Sequence, residues 1–318
     1  MKKYIGELIG SFFIVFAGIG SLLGINFMVS AMGMMLPYGF SAFLSAAAFG
    51  ATTGVMYYVF NKVTGGHFNP AITLAVFIED GVKHVKDLIL YIVSQIIGST
   101  LAVCIIGFMT AQTKNLGQVG FGEISPLYMG VIPAVIAEFI LTIFIVLVFL
   151  TARDKKLKGE TTEGGAAAVI GVSIFSAYSF GILATGGGLN PAKIFASAIV
   201  ARGTALSQLP IFFFVPLIAG VIAFLVFKGF IKEETDSEKN KEDANEVVAT
   251  VAEDKIETAT EDVKIEDEKV EAEKTEEKVE ESSESTETID DEDDLIEITN
   301  EEIQAMLDEE ITAINKED

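Results

Sequence analysis

Cysteine and histidine are nearly missing from this sequence: one Cys and two His in 318 residues. A lone Cys104 cannot close an internal disulfide, and no metal-ligand spacing exists. Set in an apolar stretch, Cys104 reads as a small buried hydrophobe. Also absent are a metal-binding His pair on one helix, a nucleophile beside a base, and a phosphate loop opening a helix. Enzymatic chemistry, a metal site and a cofactor are therefore unsupported. Acidic residues are scarce in one part of the chain only. Residues 1–230 hold 9 acidic and 13 basic side chains, a charge of +4, while residues 231–318 hold 36 acidic and 9 basic, a charge of −27. The net charge of −23 thus describes a tail, and gives no reason to expect nucleic acid as a partner. That tail is rich in Glu, Lys, Thr and Ser, with no aromatic residue between 232 and 290. It cannot bury enough apolar surface to fold and is expected to be disordered. Near its end Ile303, Met306, Leu307, Ile311 and Ile314 recur at helical spacing. A short amphipathic helix there could dock on a partner of unknown identity, and its acidic polar face disfavours anionic lipid.

What is abundant is apolar sequence: half of all residues, with a mean hydropathy of +0.47. A membrane-crossing helix needs about 20 mostly apolar residues. Six segments qualify, roughly 5–28, 36–60, 86–109, 131–151, 166–185 and 209–230. Met1-Lys2-Lys3 ahead of the first reads as the flank of a span, since no small-residue cleavage site precedes a soluble domain. Two apolar pieces, 70–78 and 191–200, are too short to cross. A helix of that length covers about 15 Å, half the hydrocarbon core. Two of them entering from opposite faces would meet near the midplane.

Lys and Arg set the expected orientation. Lys2, Lys3, Lys62, Lys83, Lys86, Arg153, Lys155, Lys156, Lys158, Lys228 and Lys232 fall on one side of six spans; Lys114, Lys193 and Arg202 fall on the other. Both termini and the acidic tail are thus expected in the cytoplasm, with the chain multi-pass in the cell membrane.

The spans form an internal repeat. Glu7, Ser11, Phe13, Ile14 and Val15 match Glu138, Thr142, Phe144, Ile145 and Val146, and Gly65-Gly66-His67-Phe68-Asn69-Pro70-Ala71 matches Gly186-Gly187-Gly188-Leu189-Asn190-Pro191-Ala192. Three spans per copy invert the second relative to the first, which puts a working site where discontinuous helices meet. In each motif the Asn stands at an N-cap and the Pro at the first helical position, where its missing N–H costs nothing. Two helix starts then present amide donors and positive dipole ends to one another, repelling cations and accepting an oxygen atom. Such irregular backbone is tolerable in lipid only around a cavity or inside protein. The pattern favours passive passage of neutral solutes. An ion-coupled transporter also uses broken helices, and a structural membrane protein with an incidental pore is a third class; flux measurements separate them.

These motifs resemble the major intrinsic protein family, the aquaporins and glycerol facilitators, over residues 1 to about 230. The resemblance implies an all-α membrane fold of six transmembrane helices plus two re-entrant half-helices in an inverted 3+3 repeat (about 1–109 and 131–230), followed by the tail 231–318. It implies a homotetramer in the lipid bilayer with one pore per subunit, conducting water and small neutral solutes such as glycerol. Spacing from the motifs puts the family's outer filter at Phe49, Tyr178, Gly187 and Lys193. Lys193 departs from the usual Arg and loses its planar fork of donors, and Tyr178 replaces the His of typical water channels or the Gly of glycerol channels. Ile194, Ala198 and the pair Phe212-Phe213 match the water branch. A simple interfacial lysine is the alternative for Lys193.

Three further residues bear on the re-entrant loops. Glu7 and Glu138 are ionisable groups inside spans; their repeat placement suits carboxylates bracing the loops, with proton relay as the alternative. His67, just before the first motif, lines or braces the pore, or senses pH.

Overall fold

The computed structural model describes residues 1–232 except 35, 36, 82, 83, 113, 155, 156, 158 and 160. The expected disorder of the tail, its terminal amphipathic helix and several loop lysines lie outside the described residues. Among the described residues eight α-helices follow one another: α1 (Lys2–Ala31), α2 (Tyr38–Thr64), α3 (Pro70–Glu79), α4 (Val85–Thr110), α5 (Val131–Arg153), α6 (Glu163–Thr185), α7 (Pro191–Ala201) and α8 (Gly203–Val226), the last running into a π-helical turn, Phe227–Lys232. Six are long and apolar enough to cross a membrane, and α3 and α7 are the two short ones. The ends fall within a few residues of those read from hydropathy, except that α8 starts earlier, at Gly203, and contains Pro210 and Pro216.

The distribution of side chains is that of a protein solvated by lipid. Phe108, Ile132 and Phe214 stand exposed on the outside, while Glu7, Gln95, Glu138 and Lys193 are almost fully enclosed. Carboxylates and amides inside and large apolar groups outside satisfy polar groups within protein when the solvent cannot. Cys104 corrects the sequence reading: it is exposed. In a helix apolar on all sides, apolar neighbours do not distinguish a core face from a lipid face.

The two halves pack as a swapped pair. In the first, α1 lies against α2 and α4; in the second, α5 lies against α6 and α8. The halves meet where α2 crosses α6, and each short helix packs on the other half's last long helix, α3 on α8 and α7 on α4. The α2–α6 crossing depends on small residues. A Cβ on Gly50 would lie 2.5 Å from the carbonyl oxygen of Gly171, and one on Gly171 would lie 2.9 Å from that of Gly50. Backbone thus meets backbone, the usual way membrane helices gain contact when lipid removes the hydrophobic drive. At the other end of α3, Glu79 accepts from Arg153 at 2.6 Å and Lys232 at 2.9 Å, fastening the short helix to the ends of α5 and α8.

Candidate pore

The site begins where α2 and α6 stop. Both end on a left-handed glycine, Gly65 at φ 85° and Gly186 at φ 93°, which turns the chain back into the bundle. Three residues later Phe68 and Leu189 adopt φ of 49° and 53°, a region costly for side chains with a Cβ. Buried carboxylates hold them there. Glu7 accepts from the N–H of His67 (3.0 Å) and of Phe68 (2.7 Å). Glu138 accepts from the N–H of Gly188 (2.9 Å) and of Leu189 (2.6 Å), and from the Thr185 hydroxyl. The Gln95 amide donates to Glu7 at 2.7 Å and to the Thr73 hydroxyl at 2.8 Å, tying α4 and α3 to the same carboxylate.

Asn69 and Asn190 follow as N-caps. Asn69 Oδ1 accepts from the N–H of Ala71 at 2.9 Å; Asn190 Oδ1 accepts from those of Ala192 at 2.9 Å and Lys193 at 3.5 Å. Pro70 and Pro191 fill the first helical positions. Each cap also reaches across the repeat. Asn69 Nδ2 donates to the Leu189 carbonyl at 3.0 Å, and Asn190 Nδ2 donates to the Phe68 carbonyl at 2.9 Å. The strained loop residues therefore aim their carbonyls at the opposite motif, and the starts of α3 and α7 abut. A cavity of about 20 Å³ lies beside them, walled by Asn69, Asn190, Thr53, His67 and apolar side chains. That volume admits about one water molecule.

Phe49 lines both this cavity and a vestibule of about 800 Å³ that opens among Asn26, Tyr38, Lys114, Gln118 and Arg202, with Tyr178 on the cavity side and Lys193 on the vestibule side. The Phe49 and Tyr178 rings stack, centroids 4.4 Å apart and 25° between planes. Tyr178 donates to the Gly188 carbonyl at 3.1 Å. A Cβ on Gly187 would lie 2.9 Å from the Ile182 side chain and 3.1 Å from the Tyr178 ring, so these two side chains together occupy the room that glycine leaves. Lys193 is 1% exposed. Its ammonium bridges the carbonyls of Gly186 (2.8 Å) and Gly187 (2.7 Å), bringing a cation to the carbonyl end of α6. Ile194 and Phe212 pack together in a small apolar cluster with Val119 and Ala134. His67 lines the cavity on the side away from the vestibule, its ring against Tyr91 and Phe149.

Sequence reasoning passed over Gln95, Thr73, Thr64 and Thr185. For the last two a signal existed, because Thr-Gly-Gly stands at the same distance before both motifs. Thr64 receives the Gly66 N–H at 2.8 Å, while Thr185 donates to Glu138.

A sequence model described as Major intrinsic protein matches residues 1–227. The chain belongs to the major intrinsic protein family. Two relatives named Aquaporin Z are each 32% identical to it. The one from Photorhabdus laumondii aligns over 74% of this chain and 99% of its own length, and the one from Brucella melitensis over 73% and 98%. Among solved structures, the aquaglyceroporin from Plasmodium falciparum shares the fold, with a TM-score of 0.60 and 21% identity over 74% of this chain and 98% of that one. As a major intrinsic protein the chain is a multi-pass membrane channel and not an enzyme. Its all-α fold of six spans and short apolar helices is the one expected from the sequence.

Proposed function

We propose that this channel conducts water, with Asn69, Pro70, Ala71, Asn190, Pro191 and Ala192 at its centre and Phe49, Tyr178, Gly187 and Lys193 as the outer filter. One observation carries the reading: two Asn caps, braced on each other's loops, stand beside a cavity sized for about one water. Their helix starts offer positive potential to a passing oxygen and repel cations, which supports passage of neutral molecules and exclusion of ions. The Tyr178 ring filling the space beside Gly187 supports water over glycerol. The two relatives at 32% identity carry the name Aquaporin Z, which agrees with this choice.

The proposed protein is a homotetramer in the cell membrane. Its channel domain spans residues 1–230, with repeats about 1–109 and 131–230, and residues 231–318 form a cytoplasmic tail. Lys2, Lys3, Lys62, Lys86, Arg153 and Lys228 at one end, against Lys114 and Arg202 at the other, support cytoplasmic termini. Glu7 and Glu138 brace the loops, and His67 lines the inner half. Stopped-flow light scattering on proteoliposomes tests the solute. Shrinkage in impermeant sucrose should be faster than in protein-free vesicles, with no re-swelling in glycerol or urea beyond the protein-free rate. Rapid re-swelling in glycerol would make the channel a glycerol facilitator.

A further inference from the structure

We propose that Phe149, with Tyr57 and His67, forms a second constriction on the inner side of the pore, so that solutes are sized at both ends of the central cavity. This rests on the water-pore reading above.

The placement follows from helix spacing and from the repeat. On α2, residues four apart share a face and rise about 6 Å per step. Phe49 stands between vestibule and cavity, Thr53 lines the cavity, and Tyr57 is the next residue inward on that line. Tyr57 precedes Asn69 by twelve residues, as Tyr178 precedes Asn190. Each tyrosine covers a glycine of its own re-entrant loop: a Cβ on Gly66 would lie 2.6 Å from the Tyr57 ring, as one on Gly187 would lie 3.1 Å from that of Tyr178. The inner half thus carries a tyrosine-on-glycine pair matching the one in the outer filter.

The second ring comes from a different helix at each end. In the outer half it is Phe49 of α2, and the matching position on α6 is the smaller Ile170. Phe49 has room because α1 presents Gly18, whose absent Cβ would overlap that ring. Gly18 follows Glu7 by eleven residues, and Phe149 follows Glu138 by eleven. So where α1 has glycine, α5 has phenylalanine, and the large and small partners have changed places. The Phe149 ring meets Tyr57 edge-on at 5.9 Å and His67 edge-on at 5.8 Å. Phe149 is 1% exposed and Tyr57 4%. His67 belongs to both groups, lining the cavity and touching Phe149, and its buried Nδ1 has no partner among the described residues. Phe149 and Tyr57 do not line the cavity themselves and are joined to it through His67; on the proposed path a molecule leaving inward passes His67 and then these two rings.

Two constrictions in series give a specific pattern of solute flux. The full-length chain is reconstituted as wild type, Tyr178→Ala, Phe149→Ala and the double variant, and glycerol re-swelling and water flux are read from the same vesicles. Each single variant leaves one constriction standing, so its glycerol re-swelling should stay well below that of the double variant, with water flux read as the check of folding. The double variant should re-swell about tenfold faster than either, as when a barrier left standing by each single change is removed. Tyr178→Ala passing glycerol as fast as the double variant would overturn the proposal, and so would a water-conducting double variant no faster than the singles. If Phe149→Ala abolishes water flux through misfolding, Phe149→Val is put through the same comparison with the same criterion. A wild type that fails to conduct water would instead defeat the underlying channel reading.

Discussion

Replacing Glu138 with Gln removes a charge and little volume. In the folded chain Glu138 Oε1 takes the Thr185 hydroxyl and the Gly188 N–H, and Oε2 takes the Leu189 N–H. An amide keeps one acceptor oxygen and turns an NH₂ toward the donors of the other. A hydrogen bond to a charged group contributes about 1.5–3 kcal/mol, and an unsatisfied buried donor costs about 1–3 kcal/mol. We therefore expect a loss of about 2–4 kcal/mol of stability, or about 4–16 °C in the temperature at which detergent-solubilised protein leaves its gel-filtration peak. Function should follow, because Leu189 is held at positive φ by the bond that is lost. Once relaxed, its carbonyl leaves the Asn69 amide and the cap shifts at the pore centre. A rise of about 1.4 kcal/mol in the permeation barrier would slow water tenfold. Glu123→Gln at the vestibule wall is the control, expected to change neither quantity. A Glu138→Gln protein with wild-type heat resistance and wild-type water flux would refute the bracing role.

Two other substitutions test separate contacts. Lys193→Met strips the charged donor from the carbonyls of Gly186 and Gly187; heat resistance should fall and, in the Phe149→Ala background where the proposed inner constriction is removed, the ranking of water, urea and glycerol in stopped-flow assays should change. An unaltered ranking would remove Lys193 from the filter. Gly50→Val drives a side chain into the Gly171 backbone; overpacking of this kind costs about 1–3 kcal/mol, to be read as a lower yield of monodisperse protein after heating, with an equal yield contradicting the close α2–α6 crossing.

Much of this architecture could be read before any coordinates, for physical reasons that differ by residue. Span length is fixed by bilayer thickness, so hydropathy located all six long helices. Asn-Pro-Ala is legible because capping and the missing proline N–H are local chemistry, and the observed caps at Asn69 and Asn190 need no distant partner. The reciprocal bonds to Leu189 and Phe68 join residues about half the described chain apart, and no local pattern announces them. Gln95 was overlooked because an amide on an apolar helix gives no sign of its target. Cys104 was misplaced because lipid-facing and core-facing positions share one composition. The side chain of Lys193 could be named but not aimed: its four-carbon stem reaches either solvent or the carbonyls of its own loop, and only the packed α6–α7 junction selects the second.

The crossed Asn amides also bear on how the molecule is made. When a ribosome has delivered Asn69, the carbonyl that its amide will hold belongs to a residue 120 positions downstream. Until Leu189 is synthesised and inserted, the first re-entrant loop carries a strained turn and a donor with no counterpart. The second loop arrives to find its own acceptor, Phe68, already waiting. Neither half therefore satisfies its own re-entrant loop: the crossed amide bonds can close only once both halves stand side by side.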